Sequence, residues 1–429
     1  MRILLTGANG LIGSAVLARL RSEANDVAAV VRRSSPNITG LATTIIRMDI
    51  SRATSPEAWL PHLDGIDAVV NCAGVLQDAP GDSTTAVHAS GILALFAACA
   101  RVGVRRVVHL SAIGVDREAP TPFSRTKLEG DQALIALNLD WVILRPSVVV
   151  GRAAYGGSAL FRGLAALPIV PVMPGTAPLQ VVQLDDVVRT ITFFVKPDTP
   201  SRIVLELAGP ERLSMTEVVR AYRRWFGWPA ATRVAVPQWL AGLAYRSGDA
   251  IALLGWRPPV RTTARLEMVR GAIGDPRPWT KTTGISPASL DEALATELPS
   301  IQERWFARLY FVKPVVLAVL SLFWTITGII SLGPGYKTGV LWMDQGGAGQ
   351  LSEISVVLGG LADIVIGLGI AVRDTAKRAL QAAIALTLVY VVMGTLLVPR
   401  LWVDPLGPML KIWPILVLNF VALAILDDR

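Results

Sequence analysis

The chain has 429 residues, too many for one ordinary domain, and its 41 Lys and Arg against 33 Asp and Glu leave a net charge of +8. Hydrophobic residues make up 52% of it and the mean hydropathy is +0.49, which argues against a wholly soluble enzyme and points to membrane segments. Cys72 and Cys99 are the only cysteines, far apart and in apolar runs, so a disulfide framework or a CxxC redox pair is excluded and both read as core thiols.

The first element in chain order is a short apolar run at residues 2–5, read as a buried strand. Thr6 and Gly7 break this run at once, so it is no signal peptide and the front of the protein is expected in the cytoplasm. Gly7, Gly10 and Gly13 follow in the order TGANGLIG, and residues 14–20 continue at helical spacing. A tight turn needs a residue tolerant of unusual φ, and a pyrophosphate needs backbone with no Cβ in the way. The following helix offers unpaired N–H groups and a positive dipole end. The spacing is GxxGxxG, a variant of the common GxGxxG fingerprint, and a strand before and a helix after favour a nucleotide site over a merely structural loop.

Strand and helix then alternate. Residues 27–31, 44–48, 68–71, 106–110 and 141–144 read as strands, and residues 84–100 and 124–139 have helical spacing. Such alternation predicts a parallel sheet covered on both faces, with ligands at the strand carboxyl ends. The second strand runs into Arg32 and Arg33, where an NAD site usually carries an acid for the ribose 2′-hydroxyl. Two guanidiniums and no acid predict NADP(H) in preference to NAD(H), the alternative being a solvated basic turn. The third strand ends at Asp49, the fourth in Asn71-Cys72-Ala73-Gly74, and the fifth at Ser111. His62, His88 and His109 show no metal-ligand spacing, and no metal is expected.

TGANGLIG, the Asp49 strand end, NCAG, Ser111 and Lys127 in FSRTK together resemble the short-chain dehydrogenase/reductase superfamily. They look most like its atypical, extended members, the NAD(P)-binding accessory subunit of respiratory complex I and the NmrA-like proteins. The resemblance covers about residues 1–300. It implies that Gly7, Gly10 and Gly13 hold the pyrophosphate, with Thr6, Asn9, Leu11 and Ile12 of the same turn. It implies that Asp49, with Ile50, meets the adenine, and that Cys72, Ala73 and Gly74 line the nicotinamide ribose. It further implies that Lys127 bonds that ribose, that Pro146 in Arg145-Pro146-Ser147 borders the nicotinamide, and that Ser111 and Lys127 are the catalytic pair. One departure matters: the usual YxxxK tyrosine is Phe123 here.

From about Gly151 the pattern loosens, as expected of a substrate lobe inserted after the sixth strand. Leu184-Asp185-Asp186-Val187 resembles the segment that docks this lobe, its acids mostly capping a helix. Residues 220–281 carry eleven basic residues against three acids, an excess as large as the whole protein's net charge, and five of the twelve tryptophans. Basic side chains seek anionic headgroups at ~1 kcal/mol each and indoles favour the interface, so this stretch is expected on a bilayer surface, with nucleic acid as the rejected alternative. The runs around Trp239–Tyr245 and Ile251–Trp256 are apolar enough to lie in that interface.

Residues 314–332, 354–372, 379–398 and 412–426 are four apolar runs near the ~20 residues that cross a bilayer. The flanking basic residues, seven against three, predict both termini in the cytoplasm and the protein in the inner (cytoplasmic) membrane. This four-helix unit is similar to the DoxX-like membrane family. Asp363 is the one charge within the spans, expected to pack against a polar partner such as Asn419 or to serve a substrate or proton pathway.

The predicted fold is therefore α/β, a Rossmann-type doubly wound parallel sheet with a small substrate lobe, followed by an all-α four-helix transmembrane domain. Its expected segments are residues 1–150, 151–300 and 301–429. The expected function is an NADPH-dependent oxidoreductase acting on a lipophilic, quinone- or isoprenoid-like substrate. The alternative is a redox-silent NADP(H)-binding assembly factor or sensor, which Phe123 favours.

Overall fold

The computed structural model describes residues 1–33, 36–117, 121–405 and 407–426. The chain divides into two compact units, Met1–Asp249 with Pro258–Ala307, and Ala250–Arg257 with Arg308–Arg429.

The first unit is built on β1 (Arg2–Thr6), β2 (Asp26–Val31), β3 (Thr44–Arg47), β4 (Ala68–Asn71), β5 (Arg106–Leu110) and β6 (Asp140–Pro146). After them come β7 (Val148–Val150), β8 (Ile169–Val172), β9 (Val181–Gln183), β10 (Ile203–Leu207) and β11 (Thr232–Ala235). One seven-stranded sheet runs in the order β10-β6-β5-β4-β1-β2-β3, with every neighbouring pair parallel. The order reverses between β1 and β4, which opens a crevice at their carboxyl ends. Sequence reading expects sheet-completing elements within residues 151–300 without locating them; β10 is one, pairing with β6 with Ile203 opposite Val142.

The strands read as continuous apolar runs because both faces are covered. Ile3 and Leu5 enter one core, with α1 (Leu11–Ser22) and α6 (Leu184–Val195) over it. Leu4 enters the other, with α3 (Ile92–Val102) and α4 (Pro122–Ile135) over it. The short α2 (Pro36–Leu41) joins β2 to β3. A π-helical turn, Ala86–Gly91, precedes α3 where a regular helix is predicted, a device often found at functional sites. Asp185 and Asp186 lie in the first turn of α6 without a side-chain capping bond. Their charge faces the dipole there, and burial raises the Asp186 pKa while Arg189 opposes that shift.

The lobe holds α5 (Gly156–Ala166), α7 (Met215–Trp225) and α8 (Gln238–Leu253), with β7 paired to β9 and β8 to β11. The short helices α9 (Thr262–Arg270), α10 (Arg277–Thr283), α11 (Leu290–Thr296) and α12 (Ile301–Leu309) follow. Several residues of the basic, Trp-rich stretch have partners within this unit. Arg223 donates to the carbonyls of Ala165, Leu167 and Pro229, and Arg224 pairs with Asp291. Arg261 pairs with Asp249, Arg270 with Glu267 and Arg277 with Asp275. Trp279 is fully buried, its Nε1 donating to Thr190 Oγ1 at 2.9 Å.

The second unit consists of α13 (Val312–Leu332), α14 (Tyr336–Gln345), α15 (Ser352–Ala371), α16 (Arg373–Leu397) and α17 (Pro408–Ile425). All but α14 are long and apolar enough to cross a membrane. α13 and α15 approach closely through glycine: a Cβ at Gly328 would run into the Gly360 carbonyl, and one at Gly367 into Thr325. The segment Ala250–Arg257 belongs to this unit, where Trp256 Nε1 donates to Ala371 O at 2.7 Å and Arg373 lies over the indole. The partner of the Asp363 carboxylate is Tyr390, whose hydroxyl donates to it at 2.9 Å, and not Asn419.

Candidate functional site

The glycine turn separates three jobs. Gly7 has φ +70°, and a Cβ on it would lie 2.6 Å from the Cys72 carbonyl, so it lets β1 pass tightly beside the end of β4. Gly13 is buried under the Gly7 carbonyl, which leaves no room for a side chain. Gly10 is different: a Cβ there would touch only the Gly7 oxygen, at 3.2 Å. It is the N-cap of α1, with no side-chain cap and no acid in the first turn, so the first N–H groups of α1 have no side-chain acceptor. Leu11 and Ile12 begin α1 and are half-buried. This is a cradle for an anion, formed by backbone.

Several predicted cofactor residues bond to neighbouring protein groups. Thr6 Oγ1 donates to Asn71 Oδ1 at 2.5 Å, and Asn9 Nδ2 to the Arg33 carbonyl at 2.7 Å, tying the glycine turn to the end of β2. Arg32 is gripped by the Asp82 carboxylate at 2.7 Å and the Gly81 carbonyl at 3.1 Å, whereas the Arg33 side chain is exposed. Asp49 accepts from Ser51 N and Oγ and forms a turn after β3. Ile50 is buried, and its carbonyl lies so close to Gly91 that only glycine fits there.

At the ends of β4, β5 and β6 the remaining candidates converge. Lys127 is buried on α4, its Nζ donating to Leu110 O at 2.8 Å and Ala73 O at 3.3 Å. A Cβ on the exposed Gly74 would lie 3.3 Å from Nζ and 3.4 Å from His88 Nε2. Burial lowers the Lys127 pKa to about 8. Burial pushes the Cys72 thiol up to about 12, so it stays a protonated, inert neighbour. Ser111 is buried, and its hydroxyl makes no well-formed hydrogen bond among the described residues, although it lies near enough to Asp131 to favour that carboxylate. Pro146 is buried at the end of β6, where its carbonyl accepts from Ile113 N.

The Phe123 ring stands at the tyrosine position, edge-on to His88 with centroids 5.5 Å apart. His88 does not replace the missing phenol. Its Nε2 accepts from Val75 N at 2.9 Å and its Nδ1 faces Thr126 Oγ1 at 3.0 Å, and burial, with Lys127 adding to it, lowers its pKa to about 2. Tyr155 is exposed at the start of α5, where its backbone is tied to Ser158.

Beneath the site runs a buried chain of polar groups that sequence reading missed. Asn71 Oδ1 also accepts from Ala73 N, and Asn71 Nδ2 donates to His109 Nδ1 at 2.8 Å. His109 Nε2 therefore carries the proton and faces Asp131 Oδ1 at 3.4 Å, a long, ion-pair distance. Arg145 holds Asp131 Oδ2 through two nitrogens, at 3.0 and 3.1 Å, and reaches Asp116 at 2.5 Å. Burial opposes ionisation of Asp131, but His109 and Arg145 outweigh it and hold its pKa below the usual range. The one signal available in sequence was spacing, since Asp131 lies one helical turn after Lys127 and shares its face. The chain fixes the carbonyl of Ala73, and Ala73 fixes Lys127.

These residues fit a nicotinamide dinucleotide: a backbone cradle with room for a ligand at Gly10, and a buried lysine and serine converging at the ends of β4 and β5. Among the described residues no group of His, Cys, Asp and Glu could hold a metal ion.

Comparison with known proteins agrees with the geometry. Residues 3–204 match the NAD dependent epimerase/dehydratase family and residues 321–420 the DoxX-like family. The chain is 31% identical over 189 residues to the mitochondrial protein FMP52 of Eremothecium gossypii, which spans 38% of this chain and 78% of that one. It is 22% identical over 222 residues to a ceramide reductase of Caulobacter vibrioides, 51% of this chain and 68% of that one. It spans only 23% of the length of an uncharacterized Mycobacterium tuberculosis protein that it matches at 27% identity over 52% of its own length. Its fold is shared with UDP-glucuronic acid 4-epimerase from Bacillus cereus, solved with UDP-glucuronic acid and NAD: the TM-score is 0.53 at 20% identity, over 72% of this chain and all of that one. The chain belongs to the NAD-dependent epimerase/dehydratase group of the short-chain dehydrogenase/reductase superfamily, fused at its carboxyl side to a DoxX-like membrane domain.

Proposed function

We propose that this protein is a membrane-anchored, NADPH-dependent reductase of a lipophilic, quinone- or isoprenoid-like compound, with Lys127 as its proton-transferring group. The observation that carries this reading is Lys127 itself, buried beside Gly74 and Ser111 with a pKa of about 8. A group that titrates near neutral pH can both hold and release a proton under working conditions. The bound nicotinamide would supply a hydride to an electrophilic carbon. Ser111 Oγ would turn its hydrogen to the acceptor's oxygen to polarise it, and Lys127 Nζ would give the proton that neutralises the product. Tethering to four spans confines the site to a membrane surface, where lipid-soluble compounds concentrate. The ceramide reductase of Caulobacter is named for a lipid substrate, which favours the same class here.

Preference for NADP(H) rests on Arg32 and Arg33 and the lack of an acid at the end of β2. Basic residues flanking the spans favour the inner membrane, with both termini in the cytoplasm. The second reading, a redox-silent cofactor-binding sensor or assembly factor, draws on Phe123 and on a His88 too weakly basic to act as an acid. The test is to incubate the purified protein with NADPH and a lipid extract of its host. Oxidation of NADPH with one altered lipid, identified by mass spectrometry, supports the reductase. Tight NADPH binding with no altered lipid supports the sensor.

A further inference from the structure

The membrane unit contains more buried polarity than its packing uses. Asp363 on α15 is 2% exposed, Asn419 on α17 is 0% and Trp324 on α13 is 2%. Tyr390 on α16 satisfies Asp363 Oδ1, while Oδ2 accepts from no described residue. Asn419 Nδ2 bonds back to Ile415 O on its own helix, and among the described residues its Oδ1 meets no donor and Trp324 Nε1 no acceptor. An unmatched polar group costs more in a bilayer than in water, because no solvent can rescue it.

Asp363 and Asn419 lie at one depth, with Trp324 a helical turn away. Gly369 abuts Ala379, so with antiparallel helices Asp363 comes level with Ala385. Gly394 abuts Met409, so Asn419 comes level with Ile384. At ~1.5 Å per residue Asp363 and Asn419 share a layer. Gly328 sits against the Asp363 Cβ, and Trp324 is about one turn away along α13. Trp324, Ile366, Ala383 and Ala422 belong to one buried cluster, in which two of the four side chains are a single methyl.

We propose that this layer is a binding site for the hydroxyl head of a lipid-soluble alcohol or phenol. Two free acceptors and one free donor need a group that both gives and takes a hydrogen bond. A ketone or ether would answer only Trp324. An ammonium would answer Asp363 but would set a cation against the Trp324 N–H. A hydroxyl donates to Asp363 Oδ2 or Asn419 Oδ1 and accepts from Trp324 Nε1, and its hydrocarbon body lies among apolar side chains.

The full chain in lipid nanodiscs is photolabelled with a sixteen-carbon alkanol bearing a diazirine beside the hydroxyl, and labelled peptides are mapped by mass spectrometry. The expected result is labelling of the peptides that hold Asp363 and Asn419. 1-Hexadecanol should compete it away, and hexadecyl methyl ether, which cannot donate, should not. Asn419→Leu and Trp324→Phe are each expected to lower it about fivefold, the effect of one neutral hydrogen bond. Equal competition by the ether overturns the proposal, as does labelling confined to lipid-facing residues such as Leu358 and Val365. Labelling unchanged in both variants overturns it too. Should either variant fail to fold, the alcohol-against-ether comparison on the unaltered protein decides alone.

Discussion

Lys127→Met tests the site twice, once without substrate. Lowering the lysine pKa from 10.5 to about 8 costs the folded protein ~3 kcal/mol whenever the ammonium is charged. Between those two pH values the unfolded chain binds more protons, so stability rises with pH across the window, and below pH 8 the cost is fully present. Methionine removes the charge but leaves the Leu110 and Ala73 carbonyls without this donor, a loss of about 1 kcal/mol. The net expectation at pH 7 is a gain of ~2 kcal/mol, a rise in Tm of roughly 3 °C for a unit of this size. The gain should disappear by pH 10.5. Cofactor-dependent turnover should be lost at every pH, beyond any effect of weakened NADPH binding, while the unaltered protein loses activity as pH rises through about 8. Scanning calorimetry at pH 7 and 10.5, with NADPH oxidation at saturating NADPH, reads both arms. A variant with unchanged Tm at pH 7 and normal turnover would refute the assignment.

Gly10→Val should abolish cofactor binding with little loss of stability, because its side chain enters ligand space. Gly13→Ala should lower Tm strongly, because its methyl meets the Gly7 carbonyl; equal thermal losses in the two would contradict this division. Asp82→Asn should weaken the grip on Arg32 and tighten NADPH binding about tenfold, in proportion to one charge-assisted bond, while NADH affinity stays unchanged. Titration calorimetry with both nucleotides checks it, and Arg32→Glu should do the reverse. A chain truncated at Ser300 should bind anionic liposomes at low salt and less at high salt, through exposed residues such as Arg233, Arg246 and Trp239; sedimentation with no bound protein at low salt would end the interfacial reading.

What was legible in the sequence was local. A buried parallel strand is a run of apolar residues wherever it lies, so β1 to β6 could be read to within a residue or two. Four apolar runs of bilayer length need no tertiary knowledge either. What could not be read was long-range. β10 returns to the sheet after the lobe, and nothing in Ile203–Leu207 says which edge it joins. Arg32 and Arg33 look alike in sequence and both are exposed, yet it is Arg32 that the buried Asp82 grips. His109 and Asn71 occupy equivalent places on adjacent strands, and only the Asn71–His109 register makes them a pair. The pairing of Arg224 was hidden for the same reason, since its partner Asp291 lies far along the chain.

Phe123→Tyr separates a missing acid from a missing reaction. The phenyl ring already occupies the position, half-buried and edge-on to His88, so adding one oxygen changes little of the packing. Lys127 lies one helical turn along α4 on the same face, ready to lower the new phenol's pKa, and Ser111 is in place. If Phe123 marks only the loss of a proton donor, tyrosine should create NADPH-dependent reduction of a simple aliphatic ketone at ~10² times the unaltered rate, the lower end of what acid–base help contributes. A native reaction that works through Lys127, as proposed, should not accelerate. Acceleration of both by the same factor would mean that the native chemistry is ordinary carbonyl reduction hindered by phenylalanine. No ketone reduction by a variant that binds NADPH normally would mean that Ser111 and Lys127 are not aimed at a substrate, and the redox-silent reading would then describe this protein better.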